Sequence, residues 1–206
     1  MKVLVINASP HGEQGNTAVA IREMGKVFAA AEVEMETVNI GKQAVRGCIS
    51  CYSCSKTGKC VFDDVVNELA PKFEAADGLV VATPVYYASA NGTLVSCLDR
   101  LFCSTHFDKR MKVGAAIAVA RRGGLTATID GLNKYFTYAG MPVAASQYWN
   151  QLHGAAPGEA AQDAEGLQIM RTLAHNMVFL MRSIALGKKK YGLPELEPVI
   201  RTNFVR

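Results

Sequence analysis

No apolar run in this chain reaches the roughly 18 residues that a membrane-spanning helix requires. The aliphatic opening, Met1 to Ile6, is also too short for the apolar segment of a secretory signal. Together these absences predict a soluble, cytoplasmic protein with no membrane partner. Strong charge is lacking too: 22 basic against 18 acidic residues leave a formal net charge of +4. The basic residues are scattered apart from Arg121-Arg122 and Lys188-Lys189-Lys190, and no aromatics interleave them, so no nucleic-acid surface is expected. The lysine run instead suits the negative end of a helix. Two phosphate-binding signatures are missing as well, since neither G-x-G-x-x-G nor a G-K-[ST] loop occurs. Tryptophan is reduced to Trp149, placed to cover a crevice or an interface.

Cysteine, by contrast, is concentrated. Four of the six fall in one run, Cys48, Cys51, Cys54 and Cys60, spaced C-x2-C-x2-C-x5-C. Thiolates are soft ligands, and the compact C-x2-C-x2-C part resembles the run with which bacterial ferredoxins wrap an iron-sulfur cube. Here Val61 stands where that run has proline. Zinc takes four thiolates too, but usually from two knuckles separated by a longer span. A disulfide needs an oxidising compartment, and a loop holding no metal is the remaining reading. Cys97 and Cys103 are expected to pack in the core, where free cysteine is common.

Half of the 206 residues are hydrophobic, enough for a substantial core, and no internal repeat or boundary divides them. One domain over 1–206 is expected, with a cysteine loop at 47–62 and a C-terminal helix and tail at 164–206. Aliphatic runs at Lys2 to Ile6, Val33 to Ile40, Gly78 to Thr83, Val113 to Ala120 and Val143 to Tyr148 alternate with helical patterns. The third run ends at Pro84, and the last helix runs from Ala164 to Leu186. Asp63 and Asp64 precede another helical pattern and suit its N-terminus. Strands alternating with helices imply right-handed crossovers and an α/β, doubly wound, five-stranded parallel sheet of order 2-1-3-4-5. In such a sheet ligands bind beyond the carboxyl ends of the strands, at the switch point between the first and third.

Three loops leave from that end. Ser9, His11, Gly12, Asn16 and Thr17 lie between the first strand and the first helix, where hydroxyls and orphan N–H groups can ring a terminal phosphate. The same residues also fit a plain polar turn with Asn16 as the helix cap. Pro84 to Tyr87 form a partly aromatic lip suited to a flat heterocycle. Gly123 and Gly124 would let backbone approach a ring closely.

Asn7-Ala8-Ser9-Pro10 with Gly15-Asn16-Thr17, then Thr83-Pro84-Val85-Tyr86, then Leu98-Asp99-Arg100, together resemble the flavodoxin-like NADPH-dependent FMN reductase superfamily. The cysteine run followed by Asp63-Asp64 narrows the resemblance to its iron-sulfur flavoprotein branch, and the matches reach to about Asn176. The resemblance implies FMN, with its phosphate on Ser9, His11, Asn16 and Thr17, and its ribityl chain and ring bordered by Pro84, Val85, Tyr86, Tyr87, Asn91, Gly123 and Gly124. It also implies a [4Fe-4S] cluster on Cys48, Cys51, Cys54 and Cys60. The activity expected is that of an FMN-dependent oxidoreductase passing electrons from ferredoxin or NAD(P)H to an acceptor, in a homodimer or homotetramer. No catalytic side chain is required, because the chemistry belongs to the flavin. Ala8 and His11 depart from the family's glycine and arginine, which weakens one phosphate contact or makes it pH-dependent. Two other readings stay open. One is an NAD(P)H-dependent FMN or quinone reductase without a cluster, and the other a non-enzymatic flavin-binding protein that responds to thiol state.

Overall fold

In the computed structural model, which describes residues 1–204, the first strand, β1 (Lys2–Asn7), pairs in parallel with β2 (Glu34–Asn39) on one side and β3 (Gly78–Tyr86) on the other. Beyond β3 lie β5 (Val113–Ala120) and β6 (Gln151–His153), also parallel. The sheet order is β2-β1-β3-β5-β6, with a sixth strand, β4 (Ser89–Ala90), pairing antiparallel with the end of β3. The doubly wound parallel architecture is as expected. The expected count of five strands is corrected to six by the added hairpin.

Alternation along the strands explains why both faces are covered. Val3, Val5, Val80, Ala82, Ala115 and Ile117 face one side, while Leu4, Ile6, Leu79, Val81, Ala116 and Ala118 face the other. On the first side pack α1 (Asn16–Ala30), through Ala20, Met24 and Phe28, and α6 (Ala164–Tyr191), through Met170, Leu173 and Met177. On the second pack α3 (Val65–Ala75), α4 (Gly92–Ser104) and α5 (Leu125–Tyr138). A single turn, α2 (Cys54–Thr57), lies within the cysteine loop.

Three boundaries differ from the sequence reading. β3 does not stop at Pro84, because Pro84 meets Val119 on the last rung of the β3–β5 ladder, where a missing N–H disrupts least. The run from Val143 to Tyr148 is not the last strand. Val143 makes one isolated bridge to Gly114, and the chain then leaves the sheet because the Ser146 hydroxyl bonds the Asn150 side chain at 2.8 Å and the Tyr148 carbonyl at 2.6 Å. Pairing resumes at Gln151. Finally, α6 runs past Leu186 to Tyr191, and the segment after it carries exposed Leu196, Val199, Ile200 and Phe204. Among the described residues no helix is long and apolar enough to cross a membrane.

Candidate functional site

The loop after β1 is built on Asn7. Its Oδ1 accepts the Ser9 N–H at 3.0 Å, and its Nδ2 donates to Asn39 Oδ1 at 2.8 Å and to the Gly12 carbonyl at 3.3 Å. Ser9 is buried, and its hydroxyl oxygen accepts the His11 N–H at 3.3 Å. Gly41, just past β2, lies against this loop so closely that a Cβ there would stand 2.2 Å from the Ser9 carbonyl carbon. A single 3-10 turn, Gly12–Gln14, leads into α1, whose N-cap is Gly15 and not Asn16. No side chain caps α1. The Asn16 amide is used elsewhere, donating to the Ala156 carbonyl at 2.9 Å and accepting the Ala160 N–H at 3.1 Å. Of the four residues expected around a phosphate, Ser9 and Thr17 are therefore buried at the base of the loop, His11 is exposed, and Asn16 ties the loop to the segment after β6.

The lip is a two-residue hairpin. Val85 pairs with Ala90 and Tyr86 with Ser89, and the connecting Tyr87 and Ala88 have φ of 49° and 61°. Both central residues are left-handed, as a type I′ turn demands, although neither is glycine or asparagine. Tyr87 is wholly exposed and Tyr86 partly so. Asn91 then locks the lip in place. Its N–H bonds Thr83 Oγ1 at 3.0 Å, its Nδ2 donates to the Ala8 carbonyl at 2.8 Å, and its Oδ1 caps α4 at the Thr93 N–H. Gly124, at φ 87°, packs under the hairpin, where a Cβ would stand 2.6 Å from the Ala88 Cα. Gly123 faces open space, and α5 starts without a side-chain cap. The three loops that leave β1, β3 and β5 are thus joined by direct contacts, and two helix N-termini with uncapped N–H groups open among them.

The cysteine loop follows β2 and runs along α4, with Gly47 beside Ser96. Cys48, Cys51, Cys54 and Cys60 line one cavity of about 90 Å³, together with apolar Ile49 and Phe62. The loop turns through left-handed Ser50 and Tyr52, at φ 52° and 55°. For residues with a Cβ this conformation is uncommon and has to be held by its surroundings. Asn67 helps to hold it, accepting the Cys60 N–H at 3.0 Å and donating to the carbonyls of Cys60 and Phe62, both at 3.1 Å. Asp64 caps α3 as expected, through Oδ1 and the Val66 N–H.

The far wall of the cavity comes from α4 and was missed in the sequence. Arg100 and Cys103 both line it. Cys97 is buried as expected, and burial pushes its thiol up to about 12. Cys103 does not pack in the core; it is exposed at the cavity, where desolvation and the neighbouring Cys54 sulfur hold its thiol above the ordinary value. The signal was the i, i+3 spacing of Arg100 and Cys103, which puts both on one face of a helix. Four thiols from one loop on one partly apolar cavity are the donor chemistry of an iron-sulfur centre. Among the described residues, no group of three or more His, Cys, Asp or Glu side chains is arranged to hold a metal ion.

Comparison with known proteins identifies the family. The model of a family described as NADPH-dependent FMN reductase matches residues 1–155. The chain is 32% identical to an iron-sulfur flavoprotein of Methanocaldococcus jannaschii over 192 residues, covering 89% of this chain and 99% of the relative. It is 30% identical to an iron-sulfur flavoprotein of Methanosarcina thermophila over 194 residues, covering 92% and 100%. Among solved structures, an archaeal flavodoxin superposes with a TM-score of 0.60 at 15% identity, covering 88% of this chain and 99% of its own. An NAD(P)H:quinone oxidoreductase from Methanothermobacter marburgensis superposes with a TM-score of 0.66 at 16% identity, covering 86% and 98%. At those identities the two structures speak to the fold. The extent of the family match and the near full-length relatives establish that the chain belongs to the NADPH-dependent FMN reductase family, in its iron-sulfur flavoprotein branch, and is an FMN-dependent oxidoreductase.

Proposed function

We propose that this protein passes electrons from ferredoxin or NAD(P)H to an acceptor in the cytoplasm, holding FMN at the three joined loops and a [4Fe-4S] cluster on Cys48, Cys51, Cys54 and Cys60. The observation that carries the reading is the pair of uncapped helix N-termini, those of α1 and α5, facing loops already bonded to one another. When bound, the flavin supplies two-electron chemistry and the cluster one-electron chemistry.

The chain's own residues bind, orient and shield. The N–H groups of the first turn of α1, with the Ser9 and Thr17 hydroxyls, would receive a terminal phosphate, helped by the helix dipole. His11, exposed at the rim, would complete the phosphate set. Asn16 would act indirectly, by fixing the loop against Ala156 and Ala160. Pro84, Val85, Tyr86, Tyr87 and Asn91 would border one side of the ring and ribityl chain, with Gly123 and Gly124 opposite. From Asn91 to Arg100 runs about 13 Å of α4 at 1.5 Å per residue, so that helix connects the lip to the cysteine cavity. The exposed apolar tail after α6 supports assembly as a homodimer or homotetramer, with residues 1–206 acting as one domain.

A second reading is supported by the description of the matching family, NADPH-dependent FMN reductase, which names a nicotinamide donor. It is an NAD(P)H-dependent FMN or quinone reductase whose cysteine loop stays metal-free. Anaerobic purification followed by acid extraction, iron and sulfide analysis, and a visible spectrum tests both. FMN with iron and sulfide supports the first reading. FMN alone, with rapid bleaching by NADPH, replaces it with the second, and stoichiometric FAD would sink the phosphate assignment.

A further inference from the structure

We propose that Arg100 is a positioning residue for the cysteine site, holding the Cys60 sulfur in place by an N–H···S hydrogen bond and raising the reduction potential of the centre that Cys60 helps to bind. This rests on the reading of the four loop cysteines as cluster ligands.

Arg100 is 1% exposed, and a guanidinium is costly to bury unless its donors are matched. A guanidinium has five N–H donors in a fixed fork, and here its three nitrogens have five partners. Nη1 and Nη2 meet the two Asp64 carboxylate oxygens at 2.7 and 2.8 Å, the bidentate geometry that arginine favours. Nη1 also donates to the Arg46 carbonyl at 3.2 Å and Nη2 to the Phe62 carbonyl at 3.4 Å. The fifth donor, Nε, points at Cys60 Sγ from 3.1 Å.

The partners show what this residue organises. Arg46 lies on the near side of the cysteine run, and Phe62 and Asp64 on the far side. Arg100 therefore clasps both ends of the loop to α4, while its Nε addresses only one of the four sulfurs. The Phe62 ring meets two cations, its centroid 4.7 Å from the Arg46 guanidinium carbon and 5.1 Å from that of Arg100. A bare structural clasp needs the carbonyl and carboxylate contacts but not a bond to sulfur. Hydrogen bonds to ligand sulfur draw electron density from an iron-sulfur centre and favour its reduced state. Arginine does this with a charge that cannot be titrated away in the physiological range.

The test uses the anaerobically reconstituted full chain and two variants. Arg100→Lys keeps a cation for Asp64 but cannot keep the fork and the Nε bond together. The double variant Arg100→Gln/Asp64→Asn removes the buried pair without stranding a charge, and it stands in should the lysine variant fail to fold. Retained FMN defines a folded sample. The expected result is a more negative midpoint potential of the iron-sulfur centre, with iron release to a chelator about 10–100-fold faster. A loaded variant with the wild-type potential overturns the proposal even if its melting temperature falls, because that is the signature of a clasp alone. Wild-type protein that binds FMN but takes up neither iron nor sulfide overturns both the cluster reading and this proposal, an outcome visible before any variant is made.

Discussion

Asn91 and Ala8 are 83 residues apart in sequence, yet the Asn91 side chain donates to the Ala8 carbonyl at 2.8 Å in the buried floor between the first and third strands. The same side chain caps α4 at 2.8 Å. One amide therefore fixes the start of a helix and joins the two loops between which the switch point lies. Asn91→Ala is expected to cost about 2–3 kcal/mol, combining a lost cap with an unmatched buried carbonyl. Asn91→Asp keeps the capping oxygen and loses only the donor, so it should unfold at an intermediate urea concentration. FMN dissociation should accelerate in both.

Two glycines separate close packing from mere flexibility. At Gly41 a Cβ would meet the Ser9 carbonyl carbon and oxygen at 2.2 Å, and both are backbone atoms that cannot swing away. Gly41→Ala should cost about 1–3 kcal/mol and weaken FMN binding by displacing the loop. Gly187, within α6, meets nothing within 4 Å. Gly187→Ala should stabilise by about 0.5–1 kcal/mol. Thermal melts with and without added FMN distinguish the two, and a Gly41→Ala protein with unchanged flavin affinity would contradict the loop's assignment.

Five thiols border the cysteine cavity, but only four belong to the loop. Cys54→Ser should abolish iron and sulfide uptake while leaving FMN bound, since the flavin loops are separate. Cys103→Ser should leave both unchanged. Iron retained in Cys54→Ser but lost in a Cys54→Ser/Cys103→Ser double variant would show that the helix thiol substitutes as a ligand.

Acid should weaken the junction of α1 and α6. The buried Glu23 carboxylate bonds Lys26 and Arg171, and the Lys26 bond first, then the Arg171 bond, hold it below the usual carboxylate range against the opposing effect of burial. A depressed folded-state pKa adds stability above the ordinary value, and that stability is lost as pH falls through the folded value. Glu23→Gln should therefore cost about 1–2 kcal/mol at neutral pH, discounted for the exposed lysine. The difference should be full above the ordinary value of 4.5 and shrink as pH falls through the lower folded value, which urea midpoints across pH 3–7 would reveal.

How much of this was legible depends on the range of the interactions. β1, β5 and the helices α4 and α5 follow from short apolar patterns, because each buries a face whose period is local. The β3–β4 hairpin was hidden because its turn uses Tyr87 and Ala88 at positive φ, where a readable type I′ turn carries asparagine or glycine. The stretch from Val143 to Tyr148 is apolar enough for a strand, but Ser146 and Asn150 close a competing loop. Asn16 looked like a cap, and its bonds to Ala156 and Ala160 depend on a segment 140 or more residues away.

The sequence by itself determined the alternation of strands and helices, the position of the three loops beyond the carboxyl ends of β1, β3 and β5, and the presence of four thiols in one short run. Those properties rest on periodicity and spacing along the chain. Only the tertiary structure decided that α4 supplies the wall of the cysteine cavity, and that Arg100 meets Asp64 and Cys60 from 36 and 40 residues away. A buried guanidinium must match its donors, and its partners are whichever groups the packing of α3, α4 and the loop brings within reach.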